Sequence, residues 1–479
     1  MHPMRKILCL FLVSCSVHAL SQDCIISGTE QEYAGLDVPV FRVVNPVTGE
    51  KTVLDSVHFN HDGSFHARFR LEDITVLYLE LGIYEGFLYA APDSEYRLAL
   101  PPFMEKSHYK HINPFYKPAE VHLRVSESRD INTGVVIPDH SELNRLLFRF
   151  DTAFNKINRM MIQQRQTRET LHADSVIKWL ETEFSGNSTA FFDRYRKYRY
   201  GLLKINERKT DLQGLALHYL NDRMPRLNEP AYMDLFNAMF NDFFYYFSGT
   251  REGEHVNAAI NRKHSLSLLR KELRKHPAIF SDTIADLVIL KEIADQYYKD
   301  AYIQDALLIL LDSLSQNASV SAYRMMAEAM HEKYSRLMIG NFPPGFNLRD
   351  QNGRYRTMEE FRGKYVYLFF CTPDNYACMM EYPFLKSFHQ KHRDYLEIVT
   401  IMVTEKIEYM TEFMKQNHYD WISLFYDDQP GILEQFNIKI YPSSLLIGPD
   451  GRLVQSPGTI PSEGFQQQLF RIMRSRGEI

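Results

Sequence analysis

The chain has 479 residues, a formal charge of −5, 45% hydrophobic residues and 24% charged residues. That length exceeds what one core organises and implies two to four domains; the composition is that of an ordinary globular protein. The mild negative charge, with no basic stripe carrying interleaved aromatics, excludes a nucleic-acid partner.

At the N-terminus Arg5 and Lys6 precede an apolar run from Ile7 to Val13, then small residues and Ala19-Leu20-Ser21. This is the layout of an export signal over residues 1–21, cleaved after Ser21 or Ala19. The run is too short for a membrane span, and no later segment approaches ~20 consecutive apolar residues, so no transmembrane segment is expected. Leu12-Val13-Ser14-Cys15 also reads as a lipoprotein box, which would anchor a lipid on Cys15. The cleaved, soluble form leads, because Ala-Leu-Ser-Gln runs directly into the first strand. Both forms imply the periplasm or cell envelope. Of the cysteines, Cys9 and Cys15 fall in the signal, leaving Cys24, Cys371 and Cys378. Three thiols are too few for a disulfide scaffold, and their spacing fits no zinc site.

Residues 22–125 read as a β-sandwich. Val38, Val40, Val43, Val53, Val57, Phe65, Phe69, Leu77, Leu79 and Leu81 alternate in short runs, divided by turn signals such as Asn45-Pro46, Asp62-Gly63 and Pro92-Asp93. His58, His61 and His66 near Asp62 are explained as alternating exposed strand positions without a metal. Residues 139–338 are expected to be all-α. Leu143, Leu146, Leu147, Phe150 and Phe154 share a helical face. Further helices are expected to start near Thr170, Ser188, Tyr232, Ser265, Ser281, Tyr302 and Ser319. The run Phe243-Phe244-Tyr245-Tyr246-Phe247 reads as core between helices rather than as a groove lining. No repeat period supports a solenoid.

Residues 339–479 return to alternating strand and helix signals, an α/β layer structure. The aromatic run Tyr365 to Phe370 reads as a buried central strand. A polar turn follows, and then Cys378-Met379-Met380-Glu381-Tyr382-Pro383 as a helix kinked by its proline. These residues, with Gly340-Asn341-Phe342-Pro343-Pro344-Gly345-Phe346, Asn352-Gly353, Trp421 before Asp427-Asp428, and Tyr441-Pro442-Ser443-Ser444, resemble the thioredoxin-like family of TlpA/ResA type. The resemblance covers about 140 residues and implies an α/β thioredoxin-like fold. The Asp62-Gly63-Ser64-Phe65 turn and the Tyr89-Ala90-Ala91-Pro92-Asp93 segment are similar to a small sandwich domain common at the front of envelope proteins of this kind. The whole layout resembles a group of Bacteroidota envelope proteins. The expected architecture is therefore multidomain α+β: sandwich, central all-α region, thioredoxin-like C-terminus.

What the resemblance implies for the chemistry turns on one position. Laid on the family pattern, Cys378 takes the second cysteine of C-x-x-C and Asn375 takes the first. Disulfide exchange begins with an exposed, acidified thiolate, and an amide cannot supply one. Phe369 stands where thioredoxin has a buried aspartate. Glu381 matches a family glutamate that tunes the thiols; its plain alternative is a solvated carboxylate in the first helical turn. Cys371 replaces a family tryptophan and is the one partner within reach of Cys378, the alternative being two buried free thiols. Pro442 is expected to be cis. In the family its loop faces the active-site turn and pairs with extended polypeptide, so Asn375, Tyr376, Tyr441 and Pro442 are the candidate binding residues, with Tyr441 large enough to cover Cys378. Cys378, Cys371 and Glu381 are the candidate catalytic residues. No cofactor and no metal is expected; His389 and His392 read as a solvated helix face lacking a third ligand. The leading reading is an envelope protein with a non-redox binding or structural role. Its partner would be an envelope protein or extended polypeptide at the Pro442 loop. The alternative is an atypical periplasmic thiol–disulfide oxidoreductase using Cys378 with Cys371.

Overall fold

In the computed structural model the described residues are 22–479, except 108–109, 111–112, 114–115, 139–140, 165–170, 187, 208–210, 222–223, 427–428 and 430. The export signal with Cys15, the helix start near Thr170 and Asp427-Asp428 lie outside the described residues. The described chain divides into two compact units. Of the described residues, one takes in those within 22–104, 119–207 and 226–232, and the other those within 105–118, 211–225 and 233–479. The helices between the two sheet-bearing regions are thus shared out between the units.

Among its described residues the first unit carries nine strands: β1 (Gln22–Thr29), β2 (Asp37–Asn45), β3 (Glu50–His58), β4 (Ser64–Leu71), β5 (Thr75–Leu81), β6 (Tyr84–Ala90), β7 (Ser94–Ala99), β8 (Ala119–His122) and β9 (Arg124–Asp130). They form two sheets, ordered β4-β1-β7-β9 and β3-β2-β5-β6-β8. Alternation puts one face of each sheet inward, and Ile26, Val40, Phe65, Phe69, Leu77, Leu79, Leu88 and Leu98 meet in a single core. The strands run on past residue 125, because β9 pairs with β7 as far as Asp130. Gly63 (φ +76) closes the β3–β4 turn. A side chain there would put its Cβ 2.6 Å from the Glu30 carbonyl oxygen, so no other residue fits. Three helices follow: α1 (Leu143–Gln164), α2 (Ala173–Glu183) and α3 (Ala190–Ile205). The buried Asn144 amide holds α1 to β6, accepting from the Tyr89 N–H at 2.8 Å and donating to its carbonyl at 3.0 Å. Phe150 of α1 packs on Phe184 and Phe192.

Next come α4 (Leu212–Tyr219), α5 (Pro230–Met239), α6 (Phe243–Ser248), α7 (Val256–Asn261), α8 (Leu266–Leu273), α9 (Asp282–Gln296), α10 (Gln304–Asn317) and α11 (Ser321–Ser335). Ser265 and Ser281 cap α8 and α9, each accepting the backbone N–H three residues on. Helix α9 is buried nearly all round. Its two fully buried carboxylates are both satisfied: Asp286 by the fork of Arg270, and Glu292 by the N–H groups of Phe243 and Phe244. In the aromatic run Phe243, Phe244 and Phe247 are core, while Tyr245 and Tyr246 stand exposed.

The C-terminal part contains a two-stranded hairpin, β10 (Asn347–Arg349) and β11 (Tyr355–Thr357). It also contains β12 (Tyr365–Cys371), β13 (Leu396–Met402), β14 (Ile422–Phe425), β15 (Ser443–Ile447) and β16 (Leu453–Gln455). These five strands make one sheet ordered β14-β13-β12-β15-β16, parallel on the β13–β14 side of β12 and antiparallel on the other. The helices are α12 (Tyr376–His392), α13 (Ile407–Gln416), α14 (Ile432–Gln435) and α15 (Phe465–Ser475). Every residue of β12 is buried, as expected of a central strand covered on both faces. Its even positions Val366, Leu368 and Phe370 join the core under α14, and its odd positions Tyr365, Tyr367, Phe369 and Cys371 join the core under α12 and α15. Among the described residues no helix is long and apolar enough to cross a membrane.

Candidate functional site

The site lies where β12 ends and α12 begins. Strand parity sets Cys371 on the α12 face, and the turn 372–375 brings Cys378 against it from the first turn of α12. The two thiols lie in one buried core, near enough to interact electrostatically, and both are free. Neither exposes any surface: each is 0% accessible. Burial, and then the neighbouring Cys378, push the Cys371 thiol well above its ordinary value, so it stays protonated at neutral pH.

Asn375 is the N-cap of α12. Its side-chain oxygen accepts the Cys378 N–H at 3.2 Å, and its amide nitrogen donates to the Tyr441 carbonyl at 3.5 Å. The Asn375 side chain therefore satisfies one of the helix's unpaired N–H groups and reaches the loop opposite. That loop is positioned by β15, whose Ser443 pairs with Phe370 at the end of β12. The Tyr441–Pro442 peptide is cis. Tyr441 lies on the thiols: burial, then Cys378 and Cys371, push its phenol far above the usual value. Phe369 and Tyr382 complete the enclosure, their ring centres 6.3 Å apart at a near-perpendicular angle. Tyr376, by contrast, points to solvent and is 79% exposed.

Glu381 is neither solvated nor turned toward the thiols. It is buried, and its two oxygens accept the Ser462 N–H at 2.8 Å and the Ser462 hydroxyl at 2.6 Å. It thus pins α12 to the short 3-10 turn Pro461–Glu463. Ser462 was not singled out from the sequence: it lies 81 residues from Glu381, with no local pattern linking them. The solvated-face reading of His389 and His392 also needs correction. Both are half-buried, with His389 3.5 Å from Asp420 and His392 taking the Tyr395 hydroxyl at 2.7 Å.

Residues 363–453 match the family model described as thioredoxin-like. The C-terminal region is a thioredoxin-like domain. Among curated proteins, the thiol-disulfide oxidoreductase ResA of Bacillus thuringiensis subsp. konkukian (strain 97-27) is 29% identical over 148 residues, which is 30% of this chain and 80% of the relative. ResA of Bacillus subtilis (strain 168) is 27% identical over 121 residues, 24% of this chain and 65% of that protein. Among solved structures, the thioredoxin domain of a thiol-disulfide oxidoreductase from Bacteroides vulgatus has 21% identity and a TM-score of 0.27. The match covers 28% of this chain and 99% of that one. A thiol:disulfide interchange protein from Bacteroides sp. has 24% identity and a TM-score of 0.24, over 25% of this chain and 80% of that one.

Proposed function

We propose that this thioredoxin-like domain serves the cell envelope as a binding module without dithiol exchange. One observation carries the reading: the Asn375 amide, which the resemblance sets in the nucleophile's position, is bonded on both sides, while both nearby thiols are sealed from solvent. Exchange needs a thiolate that an incoming disulfide can touch; both thiols are fully buried, and burial holds the Cys371 thiol protonated. A partner surface is at hand instead. Tyr376, Met380 and Phe384 recur every four residues along α12 and are 79%, 52% and 44% exposed, with Ile440 at 64% before the Pro442 loop. Exposed apolar side chains grouped in this way suit an apolar polypeptide segment. The envelope location rests on the export-type N-terminus.

The test is insulin-disulfide reduction. Wild-type protein is expected to show no rate above the uncatalysed background, and Asn375→Cys, which restores C-x-x-C, is expected to gain one. Wild-type turnover that Cys378→Ser abolishes sinks the reading.

The proximity of the two thiols favours a second reading, thiol–disulfide exchange by Cys371 and Cys378 themselves. A substrate disulfide would take two electrons and two protons from the pair, leaving two substrate thiols and a Cys371–Cys378 bond. This reading predicts that protein from its native compartment gains two alkylatable thiols on reduction. Complete alkylation of unreduced, denatured protein excludes it.

A further inference from the structure

At the end of the thioredoxin-like sheet away from the thiols lies a cavity of about 190 Å³. Its wall residue Val366 is five positions before Cys371 on β12, which places it roughly 16 Å from the thiol site. The inference drawn from this cavity therefore does not rest on the function proposed above. Val366, Ile447 and Phe361 supply an apolar lining continuous with the core, and Phe342, half exposed, forms part of the wall. Gly451 (φ +81) is what lets that wall close. A Cβ there would stand 3.3 Å from Arg362 Nε and 3.5 Å from the Phe342 ring. The Arg362 guanidinium instead lies over the ring, 5.5 Å from its centre.

Two opposite charges line the same cavity, Glu359 and Arg362. They are three residues apart at the 3-10 turn Met358–Phe361, a spacing at which side chains eclipse. Yet neither joins an ion pair among the described residues, with each other or with a third group. Cation and anion are both left available beside an apolar hole. A cavity of about 150 Å³ is enough for benzene, so this one takes a phenyl or branched-alkyl group.

We propose that the cavity binds a free α-amino acid with a large apolar side chain. The side chain enters against Val366, Ile447 and Phe361; the carboxylate meets Arg362 and the ammonium meets Glu359. A neutral zwitterion is the one small ligand that satisfies both charges while its hydrocarbon fills the hole, whereas a simple acid or amine leaves one charge facing an empty or repelled partner.

The experiment titrates the whole protein, by calorimetry or ligand-observed NMR, with L-phenylalanine, phenylacetate and phenethylamine. Phenylalanine is expected to bind saturably with a dissociation constant below about ten millimolar. Each analogue lacking one charge is expected to bind roughly tenfold more weakly. Both charged side chains are exposed, so the variants fold. Arg362→Gln is expected to bring phenylalanine down to the level of phenethylamine, and Glu359→Gln down to that of phenylacetate. No saturable binding of phenylalanine, equal binding of all three compounds, or unchanged selectivity in both variants overturns the assignment.

Discussion

The Asn375 side chain accepts a backbone N–H with its oxygen and donates to a facing carbonyl with its nitrogen, two bonds that a thiol would make only weakly. The side chain thus tethers α12 to the Pro442 loop. Glu381 likewise acts as a tether, accepting from the Ser462 N–H and hydroxyl with its two oxygens. Bonds of this kind to a charged acceptor contribute about 1–3 kcal/mol. Glu381→Gln is therefore expected to lower the unfolding free energy by about that amount in urea titrations, with alkylation of the buried Cys378 accelerated no more than that loss of stability accounts for. A rate change with unchanged stability would restore the tuning role. The resemblance to the thioredoxin-like pattern singled out both cysteines and the amide, which the fold brings to the junction of β12 and α12. Ser462 was not singled out, because its proximity to Glu381 is made by the packing of the 461–463 turn on α12 and by nothing local.

Among the elements, the β10–β11 hairpin depends most visibly on one ionised group. Asp350 is almost fully buried, and it accepts the N–H groups of Asn352 and Arg354 at 2.9 and 3.0 Å and Arg356 Nε at 2.9 Å. Burial works against its ionisation, but the Arg356 side chain and the two N–H groups outweigh that and hold its carboxyl below the ordinary 3.8. A depressed folded value means the stabilisation is fully present above the unfolded value and disappears as pH falls through the folded one. Acid titration of stability should therefore show a loss beginning below about pH 4 that Asp350→Asn removes, the variant being less stable than wild type at neutral pH and closer to it in acid. Parallel curves for the two proteins would count against this account. The hairpin itself was readable in Asn352-Gly353, and the caps of α8 and α9 in Ser265 and Ser281, since turns and caps depend on a few adjacent residues. The aromatic run of α6 was readable only as mostly core: which two of its five rings face solvent is decided by where α9 places Glu292 under its first turn.

Across the whole molecule, alternation with period two announced the sandwich and the switch to period three and four announced the helices, since those periods are set by backbone geometry. The division of the helices between two compact units left no such trace, because it depends on which apolar faces meet in space. Each unit has its own buried core: Leu79 lies within that of the sandwich, and Leu368 within that of the thioredoxin-like domain. Separate cores in separate units are the circumstance in which unfolding departs from a single cooperative step. Truncating either leucine should cost about 2–5 kcal/mol in the unit that holds it, from lost burial and the cavity left behind. Differential scanning calorimetry is thus expected to show more than one transition. Leu79→Ala should lower one transition and Leu368→Ala another, each leaving the other's midpoint in place. If both substitutions instead moved one common, symmetric transition by the same amount, the two cores would be melting as one cooperative body, and unit-by-unit reasoning about stability in this protein would have to be given up.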